Sequence, residues 1–254
     1  MSWNTVKNSF CRPALCLGVL VFVWSCSFHA EPVAINGQVV PVSPAQLSGV
    51  SAVKMLPVDE ASKDPSFEDF RQRLRQAASR RDAGFILEII DPEIWLSFGG
   101  HRGVKDFTEK WHPEKSDSEF WRELESILAL GGTFETIDGQ KEFCAPYVTC
   151  RWQELVKDFP ELGEAHEYTV VLGKNVNVHS KPSADAPILE TLSFNVLKLS
   201  QVDANERTQW VEIKTPGGHT GYISAKDVRS PLDYRASFKK VKGRWMLVTF
   251  IAGD

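Results

Sequence analysis

Cys144 and Cys150, in the run Phe-Cys-Ala-Pro-Tyr-Val-Thr-Cys, are the residues whose type and spacing suggest chemistry most directly. In an oxidising compartment two such thiols form a disulfide. The five residues between them can loop back around Pro146, and closing so short a loop stabilises by roughly 2 kcal/mol. On one continuous extended strand, however, cysteines at this spacing stand too far apart to bond. A disulfide and two free thiols are therefore both compatible with the sequence. A third use, Cys144 as a peptidase nucleophile, needs a helix start at the cysteine and a histidine base downstream. Ala145-Pro146 follows instead, the flanks read as strand, and His166, His179 and His219 fall in a loop or in a strand-rich segment, so that use is set aside.

The remaining reactive side chains make no recognisable centre. His112-Pro113-Glu114 and Glu164-Ala165-His166 are isolated pairs, without the multi-residue spacing that closes a zinc site. There is no phosphate-binding glycine loop, no nucleophile elbow and no His-Glu-x-x-His. Asp91/Glu93 and Glu123/Glu125 resemble glycosidase acid pairs only in type, since a chain with 33 acids offers many such pairs without fixing their separation. No catalytic residue, metal or cofactor is assigned. The aromatic side chains Trp95, Trp111, Trp121, Trp152, Trp210 and Trp245 stand at apolar positions and read first as core.

The first thirty residues read as an address. Lys7 and Arg12 precede the apolar run from Ala14 to Trp24, which is too short to span a bilayer, and small and polar residues lead to Ala30. This is the pattern of a secretory signal peptide over 1–30. Val23-Trp24-Ser25-Cys26 also resembles a bacterial lipobox, which implies a lipid on Cys26 as the only route to the membrane. The expected location is periplasmic or secreted, with an envelope lipoprotein as the alternative. The formal net charge is −4, and a leader holding Lys7 and Arg12 without an acid takes two positive charges away, leaving −6. Such a chain lacks the basic face that nucleic acid requires, and Arg71, Arg73, Arg75, Arg80 and Arg81 read as the solvated side of one helix.

Elements follow from periodicity. Residues 31–63, with Pro32, Pro41, Pro44 and Pro57, read as an N-terminal arm or linker that can lend one edge strand to the body. Asp64-Pro65 starts a helix over 64–83 with Phe67, Phe70, Leu74, Ala77 and Ala78 on one face. Residues 86–90 suit helix or strand, and residues 93–98 alternate like a strand up to Gly99-Gly100. Ser116 and Glu119 suggest a capping box opening a second helix, 116–130. Asp138-Gly139 turns a hairpin over 133–148, and Lys242-Gly243 turns another over 234–251. A lone hairpin is marginal in water, so the last one should complete the sheet of the earlier residues. The expected body is an α+β domain of 64–166 plus 231–254.

Between these parts lies a segment of about sixty residues in which Val and Ile alternate with polar residues and Gly, Pro and Asn break each run. Its ordered features are Val176-Asn177-Val178, Pro182-Ser183, Trp210-Val211-Glu212-Ile213 and Gly218-His219-Thr220-Gly221-Tyr222-Ile223. With these it resembles a bacterial SH3-like (SH3b) domain over 167–230. His179 stands where that family usually has Arg. The resemblance implies a small all-β barrel, inserted in or following the α+β domain, whose ligand face takes in Asn177, His179, Trp210 and Tyr222. Trp210 and Tyr222 can equally serve as barrel core. The expected function is a non-catalytic extracytoplasmic binding or scaffold protein, the barrel contacting cell-wall (peptidoglycan) peptide or an envelope protein.

A second class of function attaches to the body. Arg81-Asp82 after the first helix, the Gly100…Gly103 pair before a helix and the closing Gly243-Arg244-Trp245 are similar to the nuclear-transport-factor-2-like (SnoaL-like) α+β fold. That likeness implies a cone-shaped pocket lined by Trp95, Phe98, Trp111, Phe143 and Trp245. An enzyme or small-molecule binder of this kind would draw its polar groups from Glu93, Glu135 and Glu142.

Overall fold

Helix formation begins at Asp64. Its carboxylate accepts from the N–H groups of Ser66 (3.1 Å) and Phe67 (3.3 Å), Pro65 needs no partner in the first turn, and α1 runs Pro65–Arg80. The computed structural model describes residues 53–200 and 208–253, which fall within one compact unit. The leader, Cys26 and the arm before Val53 lie outside the described residues. Arg81 adopts the left-handed conformation (φ 56) and ends α1, after which the Asp82 side chain caps α2, Ala83–Ile89, by accepting from the Phe85 N–H. The single helix expected over 64–83 is therefore two, and the ambiguous stretch at 86–90 is helical to Ile89.

Strand β1 is Ile90–Trp95, three residues ahead of the expected 93–98. It tolerates Pro92 because it is an edge strand, where a missing N–H breaks no ladder on the open side. Helices α3, Gly103–Trp111, and α4, Glu119–Ala129, follow. The cap of α4 is Ser118, not Ser116: its hydroxyl accepts from the Phe120 N–H (3.2 Å) and donates to the Trp111 carbonyl, which ties the helix start to the end of α3. The Ser116/Glu119 box is thus displaced by a tertiary contact. Strands β2, Thr133–Ile137, and β3, Gln140–Ala145, form the first hairpin, with Asp138 and Gly139 both at positive φ. The second strand stops at Ala145, short of the expected 148. A cis Ala145–Pro146 bond turns the chain into α5, Tyr147–Cys150, and α6, Trp152–Asp158.

Seven short strands come next: β4 (Tyr168–Val171), β5 (Val176–His179), β6 (Ile188–Leu192), β7 (Val196–Leu199), β8 (Trp210–Lys214), β9 (Thr220–Ser224) and β10 (Val228–Arg229). The chain then closes with β11, Arg235–Val241, and β12, Arg244–Ile251, turning through Lys242 and Gly243 at positive φ. Two sheets result. One has the order β1-β12-β11-β3-β2 and is antiparallel except where β12 meets β1; the other has the order β10-β4-β7-β8-β9-β5-β6. The last two strands of the chain therefore occupy the middle of a sheet whose other members precede the seven-stranded one. The described structure is mixed α+β, with six α-helices among the described residues.

The five-stranded sheet packs its apolar face beneath α1, α3 and α4. Phe67 stands at the centre, its ring 4.2 Å from Phe143 and 4.9 Å from Trp245, and Trp111 meets Phe250 at 5.1 Å. This corrects the expected cone. Trp111, Phe143 and Trp245 are buried in a packed core, whereas Trp95 is only half-buried and Phe98, past the end of β1, is 50% exposed. Aromatic side chains fill the space that the cone required.

The seven-stranded sheet curls. Val171, Val178, Leu192, Leu197, Ile213, Ile223 and Val228, one from each strand, meet in a single aliphatic core, which a flat sheet could not bring about. A middle core lies beside it, built from Val53, Met55, Tyr147, Val148, Trp152, Leu162, Tyr168 and Val170. Residues 53–55 are thus not a free linker: Met55 N–H donates to the Phe194 carbonyl and Val196 N–H to Val53 (both 2.9 Å). Strand β4 serves both cores, with Tyr168 and Val170 turned to the middle one and Val171 to the aliphatic one. All four of its residues are buried.

Candidate functional site

Alternation along β5, β8 and β9 decides which side chains of the seven-stranded sheet face outward. Val178, Ile213 and Ile223 point into the aliphatic core, so Asn177, His179, Trp210, Glu212 and Tyr222 take the other face. Cross-strand pairing then aligns them. His179 lies opposite Tyr222, and Tyr222 opposite Glu212. The His179 and Trp210 rings meet edge to face at 5.3 Å. Gly221 permits the close approach of β9 to β5, since a side chain there would meet Val178 at 2.4 Å.

Polar partners fix the geometry of this face. The Tyr222 hydroxyl donates to Glu212 Oε2 (2.8 Å), and that bond pushes the phenol pKa up. His179 is 8% exposed. Its Nδ1 lies 2.9 Å from the Ala186 carbonyl, which can only accept, so Nδ1 carries a proton and donates to it. Asn177 is exposed, its Oδ1 accepting at 3.4 Å from the Thr191 hydroxyl. Trp210 and Tyr222 are half-buried and stand outside the aliphatic core. Glu212 escaped the reading of the sequence, although its place two residues after Trp210 on one strand signals the shared face.

A second concave region covers the polar face of the five-stranded sheet. Phe143, Ala145, Ala236 and Phe238 point to the helices, and alternation turns Glu142, Cys144, Arg235, Ser237 and Lys239 the other way, onto the floor of a cavity of about 690 Å³. A β-bulge between β11 and β12 places Val248 and Thr249 on that floor together. Glu93, Glu135 and Glu142 all line the cavity, so the three carboxylates nominated from the sequence are brought to one place, without the aromatic cone. Burial, reinforced by the facing Glu142, raises the Glu135 pKa, while Arg235 acts weakly in the other direction. Ser237 and Lys239 were missed because only the pairing of β11 with β3 brings them there.

Cys144 and Cys150 are joined by a disulfide on the cavity wall, with Cα atoms 5.8 Å apart. The turn at Pro146 and the helical α5 bring the two ends together, where an extended strand would have held them apart. Of the isolated metal-like pairs, His112 and Glu114 do lie close (3.2 Å), but among the described residues no group of three or more His, Cys, Asp or Glu can hold a metal ion. Nor is any described helix long and apolar enough to cross a membrane.

Residues 174–229 match the family model of the bacterial SH3 domain. Neither a curated protein nor a solved structure gives a significant match, and no finding supports the nuclear-transport-factor-2-like resemblance. Bacterial SH3 domains are generally binding modules for cell-wall material or proteins, and they are typically extracellular or periplasmic. The matched stretch runs from the approach to β5 through to β10 and takes in every outward-facing residue named on that sheet.

Proposed function

We propose that this is a non-catalytic, extracytoplasmic binding or scaffold protein, acting through an SH3-like barrel over 167–230 that is inserted in the α+β domain of 64–166 plus 231–254. The ligand is a cell-wall peptide or an envelope protein, bound across Asn177, His179, Trp210 and Tyr222. The observation that carries this reading is the common outward face of those four residues on neighbouring strands, with aromatic rings held in place by polar partners. An apolar ligand segment packs on Trp210, while the Asn177 amide and the Nε2 of His179 offer hydrogen bonds. Glu212 holds the Tyr222 ring in register, so less order has to be imposed on binding. Export follows from the signal peptide read over 1–30; a lipid on Cys26 is the alternative, tethering the protein to the envelope.

Sedimentation with purified peptidoglycan tests the cell-wall arm. The chain is expected in the pellet and Trp210→Ala in the supernatant, with far-UV circular dichroism unchanged. If the folded wild-type chain also remains wholly in the supernatant, cell-wall binding is excluded and the envelope-protein arm alone stands. Crosslinking in intact cells through a photoreactive residue at position 210 tests that arm, and the absence of any specific adduct sinks it.

A further inference from the structure

The cavity over the five-stranded sheet is a built site that the SH3-type face does not use. Glu135 and Glu142 stand directly opposite each other on β2 and β3, where like charges repel. Two cations share the floor with the pair, neither within hydrogen-bond reach of it: Lys239 Nζ approaches Glu142 at 3.7 Å, and Arg235 acts on Glu135 only through its charge. Among the described residues Glu135 has no hydrogen bond or ion pair. Ser237 is an independent sign. It is 7% exposed, faces the same cavity from β11, and its hydroxyl has no hydrogen-bond partner among the described residues. Two carboxylate groups and one hydroxyl thus face a common space, the complement of a donor-rich cation.

We infer that this cavity binds a small organic cation, a primary ammonium or guanidinium group on a short apolar body, with Glu135, Glu142 and Ser237 as its acceptors. An ammonium carries three donors and no acceptor, which suits this set. A bare metal ion suits it poorly, since the described residues hold no cluster of three metal-ligating side chains. Trp95 and Ile137 line the same cavity and give the apolar body a surface. Ile137 and Phe98, which meets Trp95 edge to face at 4.9 Å, are large exposed hydrophobic residues. The site needs no part of the SH3-type face, and its test is separate from sedimentation.

Amide chemical shifts of the ¹⁵N-labelled full chain, titrated with n-butylammonium, n-butylguanidinium, butyrate, n-butanol and calcium, give the test. Saturable shifts at Glu135, Glu142 and Ser237 are expected with one or both organic cations. Glu135→Gln, which keeps shape and removes charge, should weaken that binding about tenfold or more. Should Glu135→Gln fail to fold, Ser237→Ala serves instead, with an expected loss of a few-fold. The inference is overturned by absent saturation with both cations, by unchanged affinity in the folded variant tested, or by tighter binding of butyrate, butanol or calcium.

Discussion

The two sheets dispose of their aromatic residues in opposite ways. The five-stranded sheet lies under three helices and spends Phe143, Phe238, Trp245 and Phe250 on packing, leaving charge on its free face. The seven-stranded sheet needs no covering helix to enclose its aliphatic core, which contains no aromatic ring. His179, Trp210 and Tyr222 consequently stand outside it, with Trp210 and Tyr222 half-exposed. An aromatic side chain is thus evidence of binding only when the core beneath it closes without it. By that criterion the first sheet offers charge and a cavity, and the second offers rings on an open face.

Removing residues 234–254 breaks the comparison most completely. It takes out both central strands of the five-stranded sheet, together with Phe238, Trp245, Leu247 and Phe250. Truncating a single buried Phe or Trp costs about 3–5 kcal/mol, so the loss approaches or exceeds a whole domain's stability of about 5–15 kcal/mol. Residues 64–150 are expected to lose hydrogen-exchange protection, and protection retained at 133–145 would show that the sheet does not depend on its last strands.

A smaller effect is expected where the sheets are joined. Arg229, on β10, is 7% exposed and donates to the Ser126 hydroxyl (2.9 Å) and the Tyr234 carbonyl (2.7 Å). Its burial lowers the guanidinium pKa. Arg229→Ala leaves those acceptors unpaired and should cost about 2–3 kcal/mol, read as a lower urea midpoint at unchanged slope. A midpoint within error of wild type would mean that the two sheets are held together by the middle core alone.

The pH dependence of Glu135 sharpens the contrast in charge. Its folded pKa is raised above 4.5 by burial first and by Glu142 second, against Arg235, with Lys239 the other cation on that floor. The stabilising effect of its protonation is complete below pH 4.5 and is lost as pH rises through the raised value. Glu135→Gln should therefore be more stable than wild type at neutral pH, with the difference closing on acidification. Parallel thermal melts from pH 4 to 7 check this, and a constant difference excludes it. Glu60 and Asp64, whose pKa values are lowered chiefly by the side chains of Lys63 and Ser66, act with the opposite sign in both proteins and cancel in the comparison. Smallest of all, Tyr222→Phe should leave the melting temperature within error while weakening ligand capture. Equal capture would remove the phenol from the binding face.

What the sequence disclosed was local. Asp64-Pro65, Asp138-Gly139 and Lys242-Gly243 determine backbone geometry through their immediate neighbours, and the structure holds a helix start and two hairpins at those places. Asn177, His179, Trp210 and Tyr222 were nominated from the SH3-like resemblance, and it is the pairing of β5 with β9 that sets His179 opposite Tyr222. Local signals failed where distant residues decide: Ser118 displaced Ser116 because Trp111 offers it an acceptor, and β1 begins at Ile90 because β12 lies alongside it. The cavity was half legible. Glu93, Glu135 and Glu142 could be nominated, but Ser237 and Lys239 reach them only through a pairing across some ninety residues.

The two-sided burial of β4 bears on how far the SH3-type unit can be transplanted. The residues that match the family begin at 174, after β4 has ended at Val171. A fragment excised at those limits loses one strand of seven, and with it Val171 from the aliphatic core and the partner of both β7 and β10. Extending the fragment back to Tyr168 restores that strand but carries Tyr168 and Val170 along, stripped of Trp152 and Val148. No cut between the two cores leaves both sides of that strand covered, so any chimera built from this unit inherits a sticky seam.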